Sequence, residues 1–169
     1  ANLAFCLARQ PDIRTIAFDF DFRRIGLSKA LDQHPDHNMA DVLEGRIQFH
    51  DHALRYGDRL AFGLNNGPVR HSSEILQSRK TSEILDAIEE EFDPDIMLFD
   101  LPPMMATDDN FGFLKYVDCA LIVAGAEKTS LDKIDVAERQ VAEITNVMGI
   151  VLNKCRYFDG AYGYEYGYY

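Results

Sequence analysis

The most informative part of the sequence is an apolar run that turns acidic and then basic: Thr15-Ile16-Ala17-Phe18-Asp19-Phe20-Asp21-Phe22-Arg23-Arg24. Its apolar half is short and contains β-branched and aromatic residues, so it predicts a strand. Two carboxylates and two cations at the end of a strand suit a metal-bound polyphosphate. The ordinary alternative for either aspartate is a turn or a helix cap.

A second apolar run ends in the same way. Residues 96–99 (Ile-Met-Leu-Phe) lead to Asp100, and a Pro-Pro pair soon breaks the run. In open α/β sheets ligands bind at the carboxyl ends of the strands, so we expect Asp19, Asp21 and Asp100 to converge on one site. Mg²⁺ is the expected metal, because one or two carboxylates together with substrate phosphates usually hold it.

Composition excludes several classes of protein. The 169 residues are 47% hydrophobic, which is enough for one folded domain. The net charge of -11 argues against a general nucleic-acid binder or a polybasic membrane anchor, because both need excess Lys and Arg. Cys6, Cys119 and Cys155 lack the spacing of a metal site and are predicted to be buried thiols.

Strands and helices are predicted to alternate along the chain, as in an α/β domain. The continuous apolar strands at 96–99, 120–124 and 147–152 indicate a parallel sheet that is covered on both faces. A helix is predicted between the last two strands, with Thr129 and Asp132 resembling a capping box. The residues predicted to form the buried side of this helix are Leu131, Ile134, Val141 and Ile144.

Residues 157–169 are predicted to form a flexible, tyrosine-rich tail. They contain six of the eight tyrosines of the chain, interleaved with glycine. Two interpretations are open, a sticky disordered tail and a set of hydroxyl groups that reach an active site. The histidines are predicted to be solvent-exposed rather than metal ligands, because no third ligand lies in register with any pair: His34, His37, His50, His52 and His71.

Six motifs follow one another along the chain. They are Asp-x-Asp-x-Arg-Arg after a strand, Asp41-Val42-Leu43-x-Gly45, Ser73-Glu74-Ile75-Leu76, Phe99-Asp100-Leu101-Pro102-Pro103, Val151-Leu152-Asn153-Lys154 and the tyrosine cluster. This order resembles the bacterial tyrosine kinases of capsule and exopolysaccharide export. The resemblance covers nearly the whole chain, and the tyrosine cluster is the feature that separates a kinase from other members of the superfamily.

The resemblance implies a three-layer α/β fold with a mostly parallel sheet, P-loop NTPase-like and partition-ATPase-like, that binds ATP and Mg²⁺. Asp19 and Asp21 match the Walker A′ motif of the family, and Asp100 matches the Walker B aspartate. Asp19 and Asp100 are then expected to hold the metal, and Asp21 to accept the proton of the tyrosine hydroxyl. Arg23 and Asn153 are expected to contact the nucleotide, Asn153 near the adenine.

The resemblance also implies a division into a nucleotide-binding kinase domain, residues 1–156, and a flexible tail, residues 157–169. The expected autophosphorylation sites lie in the tail: Tyr162, Tyr164, Tyr166, Tyr168 and Tyr169. Expected partners are a membrane polysaccharide co-polymerase or activator subunit and, in the intact protein, further copies of the chain, but no nucleic acid. The expected location is the cytoplasm, at the inner face of the plasma membrane, through a partner or a missing segment.

Two features depart from the family pattern. Ile25 follows Arg23-Arg24 where the family usually has proline, a change expected only to loosen the loop. The phosphate-binding motif Gly-x-x-x-x-Gly-Lys-[Ser/Thr] does not occur, although residues 1–4 resemble the helix that follows it in the family. We therefore expect a kinase domain that lacks its first strand and P-loop and is inactive in this form, with a naturally degenerate homologue as the alternative.

The leading functional hypothesis is a protein-tyrosine autokinase that regulates capsule or exopolysaccharide polymerisation and export. One alternative is a partition- or cell-division-type ATPase, which switches partner binding without transferring phosphate to protein. Another is a nonenzymatic adaptor of a polysaccharide export complex. The tyrosine cluster favours the kinase over the ATPase, because a nucleotide-dependent switch has no need of it.

Overall fold

The computed structural model describes residues 1–104 and 109–156. The chain divides into two compact units, Ala1–Tyr116 and Val117–Tyr169, which are described separately. None of the helices in the described part is long and apolar enough to cross a membrane. The predicted tail, residues 157–169, lies outside the described residues.

The first unit contains seven helices and four strands within its described residues. The helices are α1 Asn2–Ala8, α2 Gly26–Leu31, α3 Met39–Leu43, α4 Phe49–His52, α5 Ser72–Gln77, α6 Arg79–Phe92 and α7 Asp109–Leu114. The strands are β1 Thr15–Asp19, β2 Leu54–Tyr56, β3 Leu60–Gly63 and β4 Ile96–Asp100. The second unit contains, in chain order, β5 Cys119–Gly125, α8 Leu131–Ala142 and β6 Asn146–Asn153.

The sheet of the first unit has the strand order β2-β3-β1-β4. Strand β1 is parallel to both of its neighbours, β3 and β4, whereas β2 joins the edge in the antiparallel direction. In the second unit β5 and β6 pair in parallel, connected by α8. The structure is thus α/β with mostly parallel strand pairing, as the sequence predicts.

Strand β1 is buried on both faces, which explains its uninterrupted apolar sequence. On one face Ala17 belongs to an aliphatic and aromatic core cluster that includes Phe62. On the other face Phe18 stacks on Phe99, with ring centroids 5.1 Å apart, and Phe20 meets Phe113 edge to face at 5.0 Å. The strand that carries the first acidic motif is therefore held firmly from both sides.

Two predictions about the second unit are wrong. The side chains of Val123 in β5 and Leu152 in β6 are 60% and 58% exposed, so these strands are not covered on both faces. Leu131 is 82% exposed, and Ile144 lies beyond the end of α8, so neither belongs to the buried side of the helix. The apolar spacing reports which residues share a face, but it does not report whether another element covers that face.

The predicted capping box is also wrong. Ser130, not Thr129, occupies the N-cap position of α8, and no side-chain cap bond forms there. The Thr129 hydroxyl instead accepts a hydrogen bond from the Gly125 amide at 3.0 Å. This bond closes the loop between β5 and α8, so the hydroxyl is not available to cap the helix.

The predicted burial of the cysteines and exposure of the histidines are only partly confirmed. All three cysteines are free, but Cys6 and Cys155 are exposed, so the prediction of buried thiols is wrong for them. Ala4 faces the core from the short helix α1, and Cys6 lies on its outer side. The histidines are exposed as predicted except for His52, which is half-buried with Nε2 2.9 Å from the Leu64 carbonyl oxygen.

The loop after β1 is a hydrogen-bonded turn, not the loosened loop that was expected from Ile25 in place of proline. The amides of Arg24 and Ile25 both donate to the Asp21 carbonyl at 3.2 Å. Ile25 has φ of 46° and ψ of 46°, the left-handed conformation that β-branched residues rarely adopt. Proline, the usual family residue, has neither this φ nor an amide hydrogen, so the loop here has its own backbone conformation.

We therefore expect the substitution Ile25→Pro to destabilise the chain by at least about 1 kcal/mol, because it is incompatible with the native φ and removes the hydrogen bond to Asp21. Urea denaturation measures the effect. Ile25→Ala is the matched control, because it also removes the branched side chain but keeps the amide. Equal stability of the two variants would show that the backbone conformation at residue 25 is unimportant.

Candidate functional site

The site is built at the carboxyl ends of two adjacent parallel strands. Asp19 ends β1 and Asp100 ends β4, and the two residues are direct partners in the strand register. The Phe20 amide donates to the Asp100 carbonyl at 2.9 Å, which extends the ladder one step beyond the strands. The two aspartates therefore share one edge of the sheet, as the sequence predicts, and their catalytic roles remain predictions.

Asp19 is completely buried. Its Oδ2 accepts a hydrogen bond from the Leu27 amide in the first turn of α2, at 3.3 Å. Its Oδ1 is also buried, and it has no hydrogen-bond partner among the described residues. Burial, the main cause, and the charges of Asp100 and Asp21 raise the pKa of Asp19 to about 6, against the opposing effects of the Leu27 and Asp21 amides.

Asp21 is held by its own loop. The carboxylate Oδ1 accepts from the amides of Arg23 and Arg24, at 3.3 Å and 3.2 Å. The residue is nearly buried, but the Arg23 and Arg24 side chains beside it are exposed. The acidic strand end is thus followed by a compact turn that points two cations to solvent.

Asp100 lies at the exposed end of β4. Partial burial of its carboxyl group is the main cause that raises its pKa, and the charge of Asp21 raises the pKa further. The charges of Asp100 and Asp21 act on the Asp19 carboxyl group, and the charge of Asp21 acts on Asp100. Within the described residues the three carboxyl groups nevertheless do not form a group that could hold a metal by themselves. Their mutual repulsion is the kind that a divalent cation relieves.

The carboxylate cluster fits Mg²⁺ as part of a shared site rather than as a complete protein cage. No group of three or more potential metal-ligating side chains is found in residues 1–104 and 109–156. Mg²⁺ needs fewer, because it usually keeps several waters and binds one or two carboxylates with substrate phosphates. The unpartnered Oδ1 of Asp19 is an oxygen ligand of the right kind.

The remaining predicted site residues belong to the second unit and to the tail. Asn153 ends β6 in the second unit, where its Oδ1 accepts from the Lys154 amide at 2.8 Å and its carbonyl accepts from the Ala126 amide at 2.8 Å. It therefore also lies at the carboxyl end of a parallel strand. The predicted phosphorylation sites Tyr162, Tyr164, Tyr166, Tyr168 and Tyr169 fall outside the described residues.

Two asparagines at the site were missed by sequence reasoning. Asn65 follows β3 and is completely buried; its Nδ2 donates to the Asp19 carbonyl at 2.7 Å. Asn110 in α7 is also completely buried, and its Nδ2 donates to the Pro102 carbonyl at 2.7 Å, just beyond Asp100. The signal for Asn65 was its place after a strand of the same sheet, but the Asn-Asn-Gly-Pro sequence indicated only a turn.

The mostly parallel sheet with its covering helices has the fold of P-loop NTPase-like proteins of known structure. The septum site-determining protein MinD of Pyrococcus horikoshii, solved with Mg-ADP, superposes with a TM-score of 0.70 at 19% identity, over 90% of this chain and 62% of that one. The VpsO kinase domain superposes with a TM-score of 0.81 at 23% identity, covering 92% and 76%. The kinase domain of the Escherichia coli tyrosine kinase ETK gives 0.79 at 22%, covering 98% and 65%.

Sequence relatives point to one family within this class. The putative tyrosine-protein kinase AmsA of Erwinia amylovora is 27% identical over 97% of this chain and 23% of its own length. The tyrosine-protein kinase ptk of Acinetobacter johnsonii is 28% identical over 95% of this chain and 22% of its own length. No family model matches the chain. The resemblance to bacterial tyrosine kinases is confirmed, and the chain spans about a quarter of the length of these relatives.

Proposed function

We propose that the chain belongs to the catalytic domain of a protein-tyrosine kinase that uses Mg-ATP and phosphorylates its own C-terminal tyrosine cluster. The observation that carries the proposal is the pairing of Asp19 with Asp100 at the ends of adjacent parallel strands. Support comes from relatives that are named tyrosine-protein kinases and align with nearly the whole chain. Regulation of capsule or exopolysaccharide polymerisation and export is part of the same proposal.

The three aspartates have two proposed tasks. Asp19 and Asp100 hold the metal and its waters, because Asp19 offers an unpartnered oxygen and Asp100 reaches the exposed sheet edge. When bound, Mg²⁺ neutralises charge on the transferring phosphoryl group. Asp21, fixed by the amides of its loop, accepts the proton of the attacking tyrosine hydroxyl. Arg23 contributes positive charge beside the phosphates, and Asn153 approaches the adenine.

The proposed setting is supported by the resemblance to the kinases of capsule and exopolysaccharide export, and the described residues do not test it. A membrane polysaccharide co-polymerase or activator is the proposed partner, and it would hold the protein at the cytoplasmic face of the membrane. The intact protein would form homo-oligomers in which one copy presents its tyrosines to the next. The chain alone lacks a phosphate-binding loop motif, so it is proposed to be inactive towards ATP.

The test is to express the protein from its complete gene, incubate it with Mg-ATP, and map phosphotyrosine by mass spectrometry. We expect phosphate on several of the tyrosines between Tyr162 and Tyr169. Asp21→Asn should lower the rate by about 100-fold or more, as loss of a general base does. Asp86→Asn, an exposed change on α6, is the matched control and should leave the rate unchanged.

Other outcomes favour the alternatives. ATP hydrolysis without phosphotyrosine would replace the kinase with an ATPase switch of the MinD type. No nucleotide binding at all by the complete protein would favour a nonenzymatic adaptor. Phosphotyrosine that persists at full rate in Asp21→Asn would remove Asp21 from the proposed chemistry.

A further inference from the structure

Asn65 connects three segments at the acidic edge of the sheet. Its Oδ1 accepts from the Met39 amide at 2.9 Å, where α3 begins, while its Nδ2 is bound to the Asp19 carbonyl. Its backbone is tied to α2, because the Ser28 hydroxyl donates to the Asn65 carbonyl at 2.7 Å and accepts from the Asn65 amide at 3.1 Å. Asn65 and Ser28 are both buried.

The most important of these bonds acts on the peptide group between Asp19 and Phe20. The carbonyl of this peptide is held by Asn65 Nδ2, and its N–H is held by the Asp100 carbonyl at 2.9 Å. Both hydrogen-bonding ends of the peptide plane are therefore fixed, one from the β3 side and one from the β4 side. Because this peptide group fixes the backbone from which the Asp19 side chain projects, Asn65 restricts where the carboxylate can point.

The second effect of Asn65 acts through α2. Ser28, which Asn65 binds, is the neighbour of Leu27, and the Leu27 amide donates to Asp19 Oδ2. The same asparagine thus fixes the backbone of Asp19 and the helix whose amide binds its carboxylate. With Oδ2 held in this way, Oδ1 is left as the oxygen that makes no hydrogen bond among the described residues.

We propose that Asn65 is a positioning residue, which sets the orientation of the Asp19 carboxylate for a divalent cation. The proposal rests on the proposed function, because it takes Asp19 to be a metal ligand. Residues that orient metal ligands contribute to metal affinity, and their loss typically weakens binding by about 10- to 100-fold. Loss of Asn65 should therefore weaken cation binding in the folded protein, beyond any effect on stability.

The experiment uses the protein expressed from its complete gene, with one equivalent of ADP to supply phosphate oxygens. Mn²⁺ binding is measured by electron paramagnetic resonance of the free ion, at a temperature where each variant is folded, and the binding of Mn²⁺ to ADP alone is subtracted. Mn²⁺ replaces Mg²⁺ at sites built from carboxylates and water. Asn65→Ala should weaken Mn²⁺ binding by about tenfold. Asn66→Ala is the matched control, because the exposed Asn66 also makes loop hydrogen bonds, to Asp36 and Asn38, but does not bind Asp19 in the described contacts.

Asp19→Asn separates failure of this inference from failure of the proposed function. If Asp19→Asn leaves Mn²⁺ binding unchanged, Asp19 is not a metal ligand and the proposed function loses its metal site. If Asp19→Asn abolishes binding but Asn65→Ala retains wild-type affinity, Asn65 is merely structural and the inference is overturned. If both variants lose affinity while Asn66→Ala does not, the inference stands.

A second variant covers the case in which Asn65→Ala does not fold. Ser28→Ala removes the bonds between Asn65 and α2 while leaving the asparagine in place. Thermal denaturation first identifies the folded range of this variant. Weaker Mn²⁺ binding in folded Ser28→Ala, with Asn66→Ala unchanged, supports the part of the inference that acts through α2, and unchanged affinity in Ser28→Ala overturns that part.

Discussion

Replacing Asp19 by asparagine is expected to stabilise the metal-free chain by about 3 kcal/mol near neutral pH. The folded protein raises the pKa of Asp19 from its ordinary value of 3.8 to about 6, chiefly by burial. The buried charge of the ionised Asp19 carboxylate therefore destabilises the native state, and the neutral asparagine side chain does not have this charge. Asparagine can still accept the hydrogen bond from the Leu27 amide, so the packing of α2 should be retained.

The pH dependence distinguishes this effect from a general change in packing. Between about pH 4 and pH 6 the folded state binds the Asp19 proton more tightly than the unfolded state does, so this contribution to stability falls as pH rises. The advantage of Asp19→Asn should be complete above about pH 7 and should fade towards pH 4. Urea denaturation of the wild type and of Asp19→Asn, near neutral pH and near pH 4 with a chelator present, measures the difference in their free energies of unfolding.

Asp86→Asn on the exposed side of α6 is the control for replacing an aspartate as such, and it should change stability little at either pH. A loss of stability in Asp19→Asn at neutral pH would contradict the prediction. The same variant should lose Mn²⁺ binding. A gain in stability together with a loss of metal affinity is the behaviour expected of a carboxylate that is retained for function at the expense of the fold.

The acidic edge of the sheet could be predicted because local sequence carries the needed information. A short apolar run that ends in aspartate indicates both the strand and its carboxyl end, and parallel strands bring such ends together. The register that pairs Asp19 with Asp100 then places both residues on one edge. No knowledge of distant contacts was needed for this part of the site.

Asn65 could not be predicted in the same way. Its partner, the Asp19 carbonyl, lies 46 residues away in the sequence. The Asn-Asn-Gly-Pro sequence is equally suited to any exposed turn. Its burial depends on the side-by-side arrangement of β3 and β1 together with α2 and α3, which is a property of the tertiary structure.

The failures at α8 have a related cause. Leu131 has the spacing of a buried residue, but no periodic pattern reveals whether a neighbouring element exists to cover it. Thr129 has the sequence of a helix cap, yet its hydroxyl binds the Gly125 amide instead. In both cases the local preference competes with contacts that only the folded chain defines.

Removing the ring of Phe20 is expected to cost about 3–5 kcal/mol of folding free energy. Phe20 lies between Asp19 and Asp21 and is completely buried. Its ring contacts four others, at centroid distances of 5.0 to 5.7 Å: Phe18, Phe22, Phe99 and Phe113. Phe20→Ala therefore opens a cavity at the centre of an aromatic cluster that the surrounding strands cannot easily close.

Phe92→Ala is the matched control, because it removes the same atoms from a half-buried position with one described ring contact, to Phe49. Urea denaturation should show a clearly larger loss for Phe20→Ala than for Phe92→Ala, and equal losses would contradict the central role of the cluster. The effect should reach the site as well. Since Phe20 anchors the segment that carries both Asp19 and Asp21, the folded fraction of Phe20→Ala should also bind Mn²⁺ more weakly, whereas Phe92→Ala should bind it normally.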